Sequence, residues 1–145
     1  MFKHILIATD GSELAQKAVD QGLELAKALD AKVTAVTVTE PLMGITPSQA
    51  EMAFPIQEYE RRLSENATRI LSAAATSAER IGLTCATYHV VGKAPAEGIL
   101  DTANERNCDL IVMASHGWRG LTRLLLGSQA HNVVTHSKVP VLICR

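Results

Sequence analysis

The fold is decided by residues 109–145, DLIVMASHGWRGLTRLLLGSQAHNVVTHSKVPVLICR. The stretch contains an apolar run at 109–114, a loop with several glycines, a segment with helical spacing at 128–136 and a second apolar run at 139–144. Short and nearly continuous apolar runs are typical of strands buried on both faces of a parallel sheet. This part of the chain therefore predicts a strand, a crossover helix and a second strand.

The same alternation extends over the rest of the sequence, which predicts three more strands and three more helices. The strands lie at 4–9, 32–38 and 84–91, and the helices lie at 13–29, 56–81 and 95–106. Strands that alternate with helices favour an open parallel sheet with right-handed crossovers and helices on both faces. Because 145 residues can bury a core without disulfides or metals, we expect one α/β domain over residues 1–145.

The composition argues against several classes of partner. Lys and Arg total 14 against 15 for Asp and Glu, so no overall positive field favours nucleic acid or an anionic membrane. The N-terminal apolar run is too short for a signal peptide or a membrane span. Cys85, Cys108 and Cys144 are widely spaced, so neither a disulfide framework nor a zinc site is predicted. We expect a cytoplasmic protein with no nucleic-acid or membrane partner.

Residues suited to ligand binding cluster where the predicted strands end. Asp10-Gly11-Ser12 follows the first strand and Ser115-His116-Gly117 follows the fourth, and parallel strands bring these ends to the edge where open α/β sheets bind ligands. Gly127-Ser128 places backbone amides at the positive end of the last helix, which suits an anion. Neither G-x-x-x-x-G-K-[ST] nor a G-x-G-x-x-G after the first strand occurs, so the two common phosphate motifs are disfavoured.

Three features of the sequence that suit a function also have a purely structural alternative. Asp10 or Ser12 also suits the N-cap of the first helix, and Ser128 suits the N-cap of the last. The segment 40–55 contains three prolines and a glycine, and it is either a functional loop or a surface insertion. The sequence leaves these alternatives open.

The chain resembles the universal stress protein family over essentially its whole length. The opening ILIATDGSELAQKA is similar to that family's first strand and turn, and residues 109–145 are similar to its signature end. In that signature a glycine, two residues, a second glycine, nine residues and Gly-Ser form an ATP-binding loop, and Gly117, Gly127 and Ser128 match its second half. Ala114 stands at the first glycine, where a positive φ would strain the loop.

The resemblance implies a Rossmann-like sheet in the order 3-2-1-4-5 and an adenine nucleotide, ATP with or without Mg²⁺, as the ligand. Ala8, Thr9 and Asp10 would border the ribose and adenine, and the backbone of Val38 would meet the adenine edge. Any Mg²⁺ would be held mainly by phosphates and water, because no carboxylate is obvious near the loop. The loop and its phosphate contacts would involve Ala114, Ser115, His116, Gly117, Arg119, Gly120, Gly127, Ser128 and Gln129.

The remaining loop residues allow more than one interpretation. Arg119 and Arg123 either pair with phosphate oxygens or are solvated charges, and Trp118 suits a contact surface. Of the five histidines only His116 lies in the loop, and no nucleophile with a paired base is visible, so no catalytic residue is predicted. The alternatives are a nucleotide-binding regulatory module of the stress response, a slow ATPase, and a dimeric interaction protein that binds no nucleotide, which Ala114 supports.

The last predicted strand, 139–144, has the character of a sheet edge. It is strongly apolar and contains Pro140, which suits an edge because proline cannot donate to the ladder. An apolar edge must be covered to avoid aggregation. We therefore expect a homodimer in which this strand pairs antiparallel with its copy, as the resemblance also implies.

Overall fold

The computed structural model describes residues 1–41, 55–117 and 125–145. These residues form five strands and four helices in alternation, and every predicted element is confirmed to within two residues at each end. The strands are β1 (His4–Ala8), β2 (Lys32–Thr39), β3 (Cys85–Val91), β4 (Leu110–Ala114) and β5 (Val141–Cys144), and the helices are α1 (Glu13–Leu29), α2 (Ile56–Arg80), α3 (Pro95–Glu105) and α4 (Ser128–His136).

All strand pairs are parallel, and the order across the sheet is β3-β2-β1-β4-β5. The chain winds outward from β1 to β3 and then returns to the other side of β1 for β4. The direction of winding therefore reverses between β1 and β4. The Rossmann-like open sheet in the order 3-2-1-4-5 is confirmed.

Alternate residues of the central strands enter two hydrophobic clusters, one on each face of the sheet. Ile5 and Ile7 of β1 belong to the cluster under α1 and α2, and Leu6 belongs to the cluster under α3 and α4. These three side chains are at most 1% exposed. Because helices cover both faces, consecutive residues of β1 must all be apolar, and this explains the continuous run in the sequence.

The three central strands are buried on both faces, as predicted for most strands, whereas the two outer strands are partly solvated. β3 and β5 lie at the two edges of the sheet, and Val91 of β3 and Leu142 of β5 are 68% and 40% exposed. Helices packed over the middle of the sheet leave its outer strands partly solvated. Apolar content alone does not distinguish such an edge strand from a central one.

Two shifted boundaries coincide with hydrogen bonds from backbone amides to a side chain. The carboxylate of Asp109 accepts hydrogen bonds from the backbone N–H groups of Lys3 and His4 at 2.8 and 3.0 Å, so β4 begins one residue later than predicted. Ser137 Oγ accepts from the N–H of Val139 at 3.1 Å in a tight turn, so β5 begins only at Val141. At both boundaries a side chain accepts hydrogen bonds from backbone amides.

Within the described ranges, no helix has both the length and the apolar character needed to cross a membrane.

Candidate functional site

The turn after β1 is fixed by its own side chains. The N–H of Thr9 donates to Val36 O at 3.0 Å and continues the contact with β2 past the end of β1. Thr9 Oγ1 accepts from Gly11 N at 3.2 Å, and Asp10 Oδ1 accepts from Ser12 N at 2.9 Å. Gly11 has φ +80°, a left-handed conformation that glycine adopts without strain. The turn therefore holds the Asp10 carboxylate at the carboxyl end of β1.

Ser12, rather than Asp10, caps α1. Its backbone is extended at the N-cap position, and its Oγ accepts from the N–H of Ala15 at 3.2 Å. Asp10 lies two residues earlier and accepts from the backbone of Ser12 itself. Of the two candidates left open by the sequence, Ser12 has the structural role of helix cap and Asp10 braces the turn.

Ala114, the departure from the loop signature, lies in a regular strand. It is the last residue of β4 and is not among the described residues with positive φ. Its side chain is 7% exposed and packs in the cluster under α1 and α2. The methyl group therefore adds to the core, and the strain that a positive φ would cause does not arise.

The two ends of the loop after β4 are joined by backbone contacts. Ser115 N donates to Cys144 O at 2.8 Å, and Ser115 O accepts from Gly127 N at 2.7 Å. A Cβ added at Gly127 would lie 2.9 Å from Ser115 O and 3.0 Å from the Cβ of His116. Only glycine at position 127 allows the start of α4 to come this close to the end of β4.

The same loop touches the turn after β1. A Cβ added at Gly117 would lie 2.1 Å from Asp10 Oδ2, so the Asp10 carboxylate lies against the backbone of Gly117. The sequence predicts a glycine that lets the backbone come close to a ligand, and in the described residues the group it approaches is this carboxylate. The contact brings the carboxyl ends of β1 and β4 together.

The N-terminus of α4 comes directly after the loop that follows β4. Gly127 is the N-cap, with φ −61° and ψ 154°, and Ser128 is the first helical residue rather than the cap. Gly127 has no side chain that could bind the first amides, and the first turn carries no acidic residue. The positive end of this helix dipole is therefore not neutralised by its own first turn, which suits an anion.

Val38 lies beyond the point where β1 ends. The pairing of β1 with β2 ends at Ala8 and Val36, whereas β2 continues to Thr39. Val38 therefore has no partner residue in β1, and its partner in β3 is Val90. This part of β2 is at the level of the carboxyl end of β1, where the turn that contains Asp10 begins.

Gln129 makes a contact that the sequence does not predict. Its Oε1 accepts a hydrogen bond at 2.9 Å from the N–H of Ala96 in the first turn of α3. The resemblance implies a phosphate contact for Gln129, but the oxygen of its carboxamide is engaged with α3. The two residues are 33 positions apart, so no local signal could have paired them.

Two titratable side chains near the ends of β2 and β3 are held by neighbours. Lys93 forms an ion pair with Asp101, which raises the pKa of the Lys93 amine and keeps it charged. His89 Nε2 lies 2.6 Å from Thr39 Oγ1, and burial lowers the pKa of the His89 imidazole. Outside residues 42–54 and 118–124, no three side chains of His, Cys, Asp or Glu are grouped in a way that could hold a metal ion.

Some predicted site residues cannot be placed in this arrangement. Arg119 and Gly120, together with Trp118 and Arg123, lie outside the described residues, as does most of the segment 40–55. The proposals about these residues remain predictions from the sequence.

The whole chain is similar to known proteins. Residues 1–145 match the model of a family described as the universal stress protein family. Universal stress protein YxiE of Bacillus subtilis is 35% identical over 152 residues, and the match covers 100% of both chains.

Two solved structures extend the comparison to the fold. A crystal structure of a universal stress protein in complex with cAMP is 30% identical, with a TM-score of 0.74 and coverage of 99% of this chain and 97% of that chain. The structure of MJ0577, a universal stress protein of Methanocaldococcus jannaschii, is 30% identical, with a TM-score of 0.78 and coverage of 99% and 96%. The chain belongs to the universal stress protein family.

Proposed function

We propose that this protein binds an adenine nucleotide at the carboxyl ends of β1 and β4 and acts as a regulatory module of the stress response. One observation carries the proposal. Asp10 against Gly117, and Ser115 bonded to Gly127, bring the turn after β1 and the start of α4 together where the winding of the sheet reverses. Open α/β sheets bind nucleotides at this reversal point.

The chemistry of the site suits each part of such a ligand. The backbone beyond the end of β1 at Val38 offers uncharged donors and acceptors for the adenine edge. The Asp10 carboxylate accepts hydrogen bonds, as ribose hydroxyls require. The N-terminus of α4 favours the phosphates. The cAMP complex of a relative that is 30% identical supports an adenine nucleotide, and the loop signature supports ATP with or without Mg²⁺.

Binding is a better proposal than hydrolysis. The described loop residues contain one pair with the spacing of a nucleophile and a base, Ser115 Oγ and His116 Nδ1 at 3.1 Å. Ser115 is only 6% exposed, however, so a phosphate ester has little access to its hydroxyl. We therefore assign the site a binding role.

The assembly and location are further parts of the proposal. β5 lies at one edge of the sheet with Leu142 40% exposed, and we propose that the strand at 139–144 pairs antiparallel with its copy in a homodimer. Cys85, Cys108 and Cys144 are all free thiols, which suits a reducing cytoplasm.

The bound nucleotide can be measured directly. The protein is purified without added nucleotide and denatured with acid, and the supernatant is analysed by anion-exchange chromatography against nucleotide standards. We expect a near-stoichiometric adenine nucleotide peak, either at once or after incubation with Mg-ATP and desalting.

The control for this measurement is Gly127→Val. A side chain at position 127 would collide with Ser115 O, 2.9 Å from the added Cβ, and would separate α4 from the loop. This variant should carry no nucleotide, and its thermal melt shows whether it is folded. An empty wild-type trace before and after incubation would contradict the proposal and favour an interaction protein of the same fold.

A further inference from the structure

The first turn of α3 has no capping side chain of its own. Its N-cap is Ala94 and its first helical residue is Pro95. Alanine has no side-chain oxygen, and proline has no N–H, so the N–H of Ala96 is the first amide of the helix that needs an acceptor. That acceptor is the side chain of Gln129, whose Oε1 lies 2.9 Å away.

Gln129 belongs to another helix, at the phosphate end of the proposed site. It is the second residue of α4 and follows Gly127 and Ser128. We propose that Gln129 is a positioning residue that caps α3 from α4 and so makes the two helix N-termini move as one unit beside the nucleotide. The effect on nucleotide binding rests on the proposed function, but the cap does not.

α3 also touches the other end of the proposed site. A Cβ added at Gly98 would lie 2.7 Å from Val38 Cγ2 and 3.3 Å from Val90 Cγ1, so α3 rests directly on the ends of β2 and β3. Thr102 Oγ1 donates to Gly98 O at 2.7 Å and supports the helix at this point. A displacement of the start of α4 would reach α3 through Gln129 and Ala96, and from there the segment around Val38.

The carboxamide of Gln129 suits both the N–H of Ala96 and a phosphate at the start of α4. Its oxygen is engaged by the N–H of Ala96, and within residues 1–41, 55–117 and 125–145 the NH₂ group has no partner and can donate to a ligand. A donor is compatible with a nearby phosphate. A glutamate at this position would retain the acceptor for Ala96 but would place a negative charge at the start of α4.

The cap is tested by amide hydrogen exchange and thermal unfolding without nucleotide. Gln129→Met keeps the length of the side chain and removes the acceptor. We expect exchange at the Ala96 amide to become about tenfold faster and the melting temperature to fall by about 2–4 °C. Gln129→Glu should restore both values, whereas Gln21→Met, the same change at an exposed position of α1, should alter neither.

The coupling is tested by adding ATP to the same proteins. In the wild type, ATP should slow exchange in residues 96–101 as well as at the start of α4. In Gln129→Met it should slow exchange only at the start of α4. Gln129→Glu should keep Ala96 protected but bind ATP at least about tenfold more weakly, because like charges repel.

Each outcome decides one part of the inference. Unchanged Ala96 exchange in ligand-free Gln129→Met would overturn the cap. Protection of α3 by ATP that persists in this variant would overturn the coupling. If ATP slows exchange nowhere in the wild type, both the coupling and the proposed function fail, while the ligand-free comparison still decides the cap.

Discussion

The Asp10 carboxylate can reach the loop after β4 only because position 117 has no side chain. We predict that Gly117→Ala lowers the free energy of unfolding by about 1–2 kcal/mol, measured by urea denaturation. A Cβ at 117 would lie 2.1 Å from Asp10 Oδ2. The carboxylate must then move and weaken its hydrogen bond to Ser12 N.

The control for this prediction is the same change in an Asp10→Ala background. Without the carboxylate, the methyl group has space, and Gly117→Ala should reduce stability by less than about 0.5 kcal/mol. An equal loss in both backgrounds would show that the contact with Asp10 is not the cause.

Cys108 makes stability depend on pH in the alkaline range. Burial, with a smaller contribution from the charge of Asp109, raises the pKa of the Cys108 thiol from 9.0 to about 11. Between about pH 9 and pH 11 the native protein therefore keeps a proton that the unfolded chain releases. Since the native state then binds more protons, the free energy of unfolding should fall as pH rises through this window.

The measurement is the urea midpoint at several values between pH 8 and pH 11. Cys108→Ala should reduce the slope of stability against pH. It should not abolish it, because burial also raises the pKa of the thiols of Cys85 and Cys144. An identical slope in the variant would contradict the assignment to Cys108.

Among the elements, β4 contains the position at which the sequence departs from the family's loop signature. Ala114 lies at a position where the family signature has glycine, and the strand continues through it in pairing with Cys144 of β5. We predict that Ala114→Gly lowers the free energy of unfolding by about 1 kcal/mol, because glycine loses more backbone entropy and removes a buried methyl group. Urea denaturation tests this, and a more stable variant would show that alanine strains the strand.

The elements themselves were predictable because their signals are local. Apolar periodicity predicted all five strands and four helices of the described residues. The burial of a strand or helix face determines which of its neighbouring residues are apolar, so the signal is local. The ends of elements were less predictable. The start of β4 depends on Asp109 binding the amides of Lys3 and His4, which lie at the other end of the chain.

On the scale of the whole molecule, the exposed edge at β5 should determine the mass in solution. We predict that the wild type has a mass of twice 15.6 kDa in light scattering at micromolar concentration. Leu142→Lys should shift it to the monomer, because two copies of a charge on the exposed edge would repel each other and oppose the pairing of the edge strands.

The matched control is Val91→Lys on the opposite edge. Val91 is also exposed, at 68%, but it lies on β3, so its replacement should leave the mass unchanged. A monomeric wild type, or an equal effect of the two variants, would contradict pairing through β5.

The sequence by itself determined the alternation of strands and helices, the α/β class and the cluster of candidate site residues at the strand ends, because periodicity and turn chemistry act over a few neighbouring residues. The family resemblance supplied the strand order. Only the tertiary structure decided that β3 is partly solvated, that Asp10 contacts Gly117, and that Gln129 accepts a hydrogen bond from the first free amide of α3. The physical reason is that these contacts join distant segments, and their partners are selected by the order in which the strands pack.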